Sequence, residues 1–211
     1  MNYRPRERSN FWIVQATTIL RLALLLPVTL MILSGNDFSW LVLTCLVLAT
    51  LLDFFDGKLA RRLGQCTAFG QFLDQFADRT FYLACGTLLI FHTVRTGQMG
   101  YGQWLTILIV FFLARDHLAS SLQIMKTKLP TAYETHDHII NKVSRRRTLV
   151  CFPMIWVTYC SVSVPASANA TLPIFAHTLE VAALIVTLAS IIHYLWCYRR
   201  VIAKAARTES A

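Results

Sequence analysis

Leu51-Leu52-Asp53-Phe54-Phe55-Asp56-Gly57-Lys58-Leu59-Ala60-Arg61-Arg62 closes a stretch that starts at Ser39-Trp40 and reaches Leu52 without a charge. An uncharged apolar run followed at once by aspartates reads as a membrane helix with ionisable groups near one end. A second stretch mirrors it: Gly70-Gln71-Phe72-Leu73-Asp74-Gln75-Phe76-Ala77-Asp78 places its acids at the start of an apolar segment. At 1.5 Å per residue, Asp53 and Asp56 lie about 21 and 25 Å from the outer end of one helix, and Asp74 and Asp78 about 10 and 16 Å from the inner end of the next. The two pairs therefore meet in one leaflet. Spacings of three and four residues put each pair on one helix face.

The rest of the chain has the same character. Of its 211 residues, 55% are hydrophobic and only 15% charged, where a soluble domain carries about 25% charged. Apolar segments at 11–34, 39–63, 68–94, 101–126, 142–164 and 172–198 predict six transmembrane helices in an all-α integral membrane bundle. The whole of 1–211 is read as a single domain, with no linker, repeat or low-complexity tract. The run from Phe11 to Ser34 is too long for a signal h-region and lacks a small-x-small cleavage pattern, so it is read as a retained helix. The cysteines form no CxxC or metal-type spacing and read as small apolar packing residues.

The basic residues set the orientation. With the N terminus in the cytoplasm, the inner side holds the N-terminal arginines, Arg61-Arg62, Lys126, Lys128, Lys142, Arg145 to Arg147, and Arg199 to Arg207, while the outer loops hold only Arg95. Both termini and all four aspartates then lie at the cytoplasmic face. The net charge of +9 is read as a topology signal and a binder of anionic membrane lipid. No nucleic-acid partner is expected, because the cations line membrane edges and not one soluble surface.

Four carboxylates crowded in low dielectric repel strongly. Either protons neutralise some of them or a divalent cation does. An oxygen-only ligand set with no His or Cys favours Mg²⁺ or Mn²⁺ over zinc, and such a site in a membrane suggests chemistry on phosphates. Gly57, Ala60 and Gly70 lie one turn from the aspartates and leave room for a bulky ligand or for close helix packing. Arg61 is near the same face and is suited to a diphosphate.

Taken together, Asp53-x-x-Asp56-Gly57-x-x-Ala60-Arg61, eight residues, Gly70-x-x-x-Asp74-x-x-x-Asp78 resembles the signature of the CDP-alcohol phosphatidyltransferases at every fixed position. The resemblance implies six transmembrane helices, a homodimer, and transfer of a phosphatidyl group from CDP-diacylglycerol to an alcohol with release of CMP. It implies that Asp53, Asp56, Asp74 and Asp78 hold two divalent ions and that Asp78 is also the catalytic base. Asp53, Gly57, Ala60, Arg61, Thr67 and Gly70 are then the candidate contacts to the CDP portion.

The acceptor is less firmly marked. Thr18-Ile19-Leu20-Arg21, with Pro27 further on, Ala114-Arg115-Asp116, and Asn141-Lys142-Val143 resemble the phosphatidylglycerophosphate synthase and cardiolipin synthase branch. A phosphorylated acceptor needs fixed cations, and Arg21, Arg115, Lys142 and Arg145 are the candidates, which suits glycerol 3-phosphate. Against that branch, Asp74-Gln75 and Asp78-Arg79 look more like the inositol-type synthases, Gln15 stands where Asn is usual, and Ser144-Arg145 replaces the usual Lys-Thr or Asn-Thr. Inositol, inositol phosphate or phosphatidylglycerol therefore stay open as acceptors. A cation transporter with an aspartate ion site is the non-enzyme alternative, but the chain shows neither the repeats nor the broken helices usual in transporters. The compact length and the branch resemblance point to a bacterial inner membrane. Glu180 is a further acid within an apolar segment, on the outer side and away from the quartet.

Overall fold

The computed structural model describes residues 15–35, 39–62, 68–128, 137–164 and 171–208. Among them every regular element is an α-helix. These are α1, Gln15–Leu33; α2, Trp40–Arg62; α3, Ala68–Arg95; α4, Met99–Lys128; α5, Asp137–Ser163; and α6, Thr171–Thr208. The segmentation follows the sequence prediction, with two extensions. Helix α5 starts at Asp137, not 142, and α6 runs to Thr208, not 198. In α6 basic residues, Arg199, Arg200, Lys204 and Arg207, continue the helix past its apolar part, because Lys and Arg are good helix formers.

Three of the helices contain stretches long and apolar enough to cross a membrane: Gln15–Leu33, Met99–Met125 and Thr171–Arg199. Helices α2 and α5 keep shorter apolar parts, Trp40–Phe55 and Val150–Ser163. The missing apolar length in α2 is taken by Asp53, Asp56, Lys58, Arg61 and Arg62, and in α3 by Asp74, Asp78 and Arg79. The helices that fall short on composition include the two that carry the acids.

Packing order explains how the acids meet. Neighbouring helices close a ring in the order α1, α2, α5, α6, α4, α3 and back to α1, with α3 and α5 touching across the middle. Consecutive α2 and α3 do not pack against each other among the described residues. Helix α1 bridges them, and a gap lined by both is left open.

The core lies away from that gap. Val42, Leu46, Phe81, Leu108, Ile155 and Tyr159 are buried in one continuous cluster that draws on α2, α3, α4 and α5. Close approach of α3 to α4 depends on Gly86, since a Cβ there would lie 2.2 Å from Ile109 Cδ1. The turn between α3 and α4 places Gly97 at φ 76°, a conformation costly for any residue with a Cβ. Outward-facing side chains are apolar, among them Leu26, Leu30, Trp40, Ile185 and Ile192, as expected of surfaces that face lipid. Several threonine hydroxyls on these helices bond back to the preceding turn, as in Thr50 to Leu46 O at 2.9 Å and Thr87 to Leu83 O at 2.8 Å, which satisfies those donors within the helix.

The end of the bundle opposite the aspartates is tied by two polar clusters. Glu180 is fully buried on α6 and accepts from four side chains. Tyr101 Oη and Thr158 Oγ1, the latter at 2.7 Å, reach Oε1, while Trp104 Nε1 at 2.8 Å and His177 Nδ1 at 3.0 Å reach Oε2. This carboxylate thus joins α4, α5 and α6. In the second cluster Arg95 Nη1 donates to Ile32 O at 2.7 Å, capping α1, and its Nη2 lies 3.2 Å from His92 Nδ1. The cation expected alone in the outer loops is held as a helix cap.

Candidate active site

The site begins with Arg21. It lies on the inward face of α1 with Gln15 and Thr18, all three buried and spaced three apart. Its side chain is 1% exposed, and its guanidinium spans the gap between α2 and α3. Nη1 bonds Asp53 Oδ1 on α2, and Nη2 donates to Asp78 Oδ1 on α3 at 2.9 Å. One carboxylate oxygen from each of Asp53, Asp74 and Asp78 falls within 4.8 Å of the others. Asp53, near the end of α2, and Asp74 and Asp78, near the start of α3, come level across the gap, as the helix-rise arithmetic expects.

Three acids and one arginine leave a net charge of −2 when all are ionised, counting −3 and +1. That sum, the all-oxygen donor set and the close spacing fit a hard divalent cation. Asp53, Asp74 and Asp78 are the described residues that can hold one.

Asp78 has a second neighbourhood. Its side chain is 43% exposed and lines a cavity of about 150 Å³ with Gln75, Arg79, Tyr82, Arg115, Asp116, Ser120, Gln123 and Tyr194. At about 30 Å³ per water, this space suits a small polar molecule. Arg115 is 5% exposed. Its Nε donates to Ser190 Oγ at 3.0 Å, its Nη1 pairs with Asp116 Oδ1 at 2.9 Å, and its plane lies 4.8 Å over the Tyr194 ring. Its Nη2 is buried with no hydrogen-bond partner, so one strong donor beside the cavity is unspent. Arg79 bonds Ser120 across the same cavity.

A larger cavity of about 610 Å³ lies at the opposite end, lined by residues including Thr96, Gln98, Tyr101, Trp104, Ser163 and His177. Volume alone favours it, but charge does not. The acid behind it, Glu180, is sealed by four donors, whereas the smaller cavity holds two guanidiniums and one member of the acid trio.

Of the residues singled out from sequence, Arg21, Asp53, Asp74 and Asp78 come together, with Arg115 lining the cavity that Asp78 shares. Gly70 sits one turn before Asp74 on α3. Asp56, Gly57, Ala60 and Arg61 belong to α2, and Lys142 and Arg145 to α5, but their side chains lie outside the described residues, as does Thr67 entirely. Arg21, expected near the acceptor, bonds Asp53 and also Asp78, the acid that lines the cavity, because α1 fills the space between α2 and α3. Sequence reading missed Arg79, Ser120, Gln123 and Tyr194 as cavity residues. A usable signal existed for two of them, since Asp116, Ser120 and Gln123 recur at helical spacing on α4.

A sequence model of the CDP-alcohol phosphatidyltransferases matches residues 11–198. Among curated relatives, a protein of Cereibacter sphaeroides is 34% identical over 116 residues, 54% of this chain and 50% of the relative. A protein of Escherichia coli is 29% identical over 145 residues, 66% of this chain and 72% of the relative. A Shigella flexneri protein matches at 29% over 145 residues, with the same shares of 66% and 72%. All three are named CDP-diacylglycerol–glycerol-3-phosphate 3-phosphatidyltransferase. The chain spans about half the length of the Cereibacter relative.

Proposed function

Because the chain belongs to the CDP-alcohol phosphatidyltransferase family, we propose that it moves the phosphatidyl group of CDP-diacylglycerol onto glycerol 3-phosphate and releases CMP. One observation carries this reading: Asp78 belongs to the acid trio and also lines the cavity walled by Arg79 and Arg115. A carboxylate in that position stands between a site for a diphosphate and a site for a small anionic alcohol. The names of the relatives and the paired guanidiniums support glycerol 3-phosphate as that alcohol.

In the reaction, the acceptor hydroxyl oxygen forms a bond to the phosphatidyl phosphorus as the bond from that phosphorus to the CMP oxygen breaks. The hydroxyl proton passes to Asp78, and CMP leaves with the bonding electrons. Asp53, Asp56, Asp74 and Asp78 are assigned as ligands of two Mg²⁺ or Mn²⁺ ions, which when bound offset charge on the diphosphate and on the leaving CMP. Arg115 directs its unspent Nη2 to the acceptor phosphate, where a charge-assisted bond fixes the alcohol with its hydroxyl toward Asp78. Tyr194, stacked under Arg115, and Ser190 hold that guanidinium in place. Lys142 and Arg145, at the start of α5, are assigned to the same anion, and Gly57, Ala60, Arg61, Thr67 and Gly70 to the nucleotide.

We assign 1–211 to one domain of six membrane-crossing helices, the short apolar parts of α2 and α5 being completed by the polar ends around the site. The cation bias supports an orientation with both termini and the site at the cytoplasmic face, and the bacterial relatives support an inner membrane. The family resemblance supports a homodimer.

The test is product analysis. Purified protein is given CDP-diacylglycerol, Mg²⁺ and, in separate reactions, glycerol 3-phosphate, inositol, inositol phosphate or phosphatidylglycerol. Phosphatidylglycerophosphate with stoichiometric CMP is expected only with the first. Preferential use of an inositol compound overturns the acceptor assignment, and no CMP with any acceptor overturns the transfer reaction.

A further inference from the structure

Arg21 has a bonding pattern that a purely structural ion pair does not explain. Its two terminal nitrogens are taken by Asp53 and Asp78, from two helices that do not otherwise pack together among the described residues. Its Nε, buried with the rest of a side chain that is 1% exposed, has no hydrogen-bond partner. A permanently seated guanidinium matches its donors, so this seat is incomplete. Asp53 and Asp78 belong to the trio whose oxygens lie within 4.8 Å of one another, so the seat the guanidinium occupies is the one a divalent ion would take.

We propose that Arg21 is the chain's own counter-cation for the acid trio, and that it exchanges with the divalent ion. In one arrangement the guanidinium neutralises and spaces Asp53 and Asp78. In the other, the ion draws the acids together, and Arg21 gives them up and turns its freed nitrogens to the substrate diphosphate. Arg21 is then a positioning residue. It keeps like charges assembled on α2 and α3, and its departure couples ion binding to phosphate binding. The inference rests on the divalent-ion reading of the site given above.

The experiment uses full-length protein in lipid nanodiscs, freed of metal by chelation and without lipid substrate or nucleotide. Mn²⁺ is titrated and free Mn²⁺ followed by electron paramagnetic resonance. If Arg21 competes with the ion, Arg21→Met binds Mn²⁺ tighter by roughly tenfold or more, because an opposing charge is removed from a low-dielectric site. Arg21→Lys, which keeps the charge, stays near wild type. Equal or weaker affinity in a folded Arg21→Met overturns the exchange. A second measurement needs no variant: phenylglyoxal labelling of wild type, read by peptide mass spectrometry with Arg95 as reference. Arg21 should react several-fold faster with Mg²⁺ present, and an unchanged or slower rate overturns the proposal. If wild type makes phosphatidylglycerophosphate but neither readout moves, this inference fails alone. If wild type binds no Mn²⁺, the divalent-ion reading falls with it.

Discussion

Arg21 Nη2 lies 2.9 Å from Asp78 Oδ1, while the other end of the same guanidinium bonds Asp53. In this arrangement the assigned base is held from helix α1, and its exposed side reaches the acceptor cavity. Asp78→Asn keeps the shape and a hydrogen-bonding side chain but cannot take a proton. General-base contributions are typically about 10²- to 10⁴-fold, so kcat at saturating Mg²⁺ and CDP-diacylglycerol should fall by at least that range. Steady-state assays of CMP release check this. Retention of full activity would show that another group accepts the proton.

Arg115 separates acceptor binding from lipid binding. It lines the cavity with a buried, unspent donor, and it also pairs with Asp116. Arg115→Lys keeps the charge but loses the fork that serves Ser190, Asp116 and the acceptor together. The KM for glycerol 3-phosphate should rise by roughly tenfold to a hundredfold, equal to about 1.4–2.8 kcal/mol. The KM for CDP-diacylglycerol should stay near wild type. Equal loss for both substrates would place Arg115 in the frame of the bundle and not on the acceptor.

The acid site was legible because its information is local. Asp53 and Asp56 share one helix, Asp74 and Asp78 the next, and antiparallel direction with a fixed rise brings the pairs level. The partners of those acids were not legible, because they depend on which helices become neighbours. Nothing in the spacing of Arg21 says that α1 fills the gap between α2 and α3. Tyr194 under Arg115 needs the contact of α4 with α6, two elements far apart in sequence. Adjacent positions on a helix point to different faces, yet the long Arg115 side chain curls back to Asp116. Glu180 had no account from sequence for the same reason, since its four donors come from three helices.

Glu180 gives a stability prediction with the active site left alone. The carboxylate accepts two bonds at each oxygen, and Glu180→Gln replaces one oxygen by an NH₂ that cannot accept. Either Tyr101 and Thr158 or Trp104 and His177 then face a donor. A buried donor left unsatisfied costs about 1–3 kcal/mol, more where the bond was to a charged group. Thermal unfolding in detergent should show a lower Tm, while kcat at low temperature stays near wild type because the site lies at the other end of the bundle. A large loss of kcat in protein that is still folded would show that the Glu180 cluster acts on the chemistry.

Gly86 and Ile109 test the α3–α4 seam. A Cβ at Gly86 lies 2.2 Å from Ile109 Cδ1 and 2.6 Å from Cγ1, so Gly86→Ala forces the isoleucine off its rotamer or the helices apart. Overpacking of this kind costs about 1–3 kcal/mol. Ile109→Ala alone removes packing at a half-buried position and destabilises by less than the roughly 2–5 kcal/mol of a fully buried site. In the double variant the new methyl enters the space the isoleucine vacates. Its loss of stability should be smaller than the sum of the two single losses by roughly 0.5–3 kcal/mol, the range seen for residues in contact. A double-mutant cycle on thermal or denaturant unfolding reads that coupling directly. Simple additivity would mean that the two helices do not approach at this point, and the ring that sets α3 against both α1 and α4 would have to be redrawn.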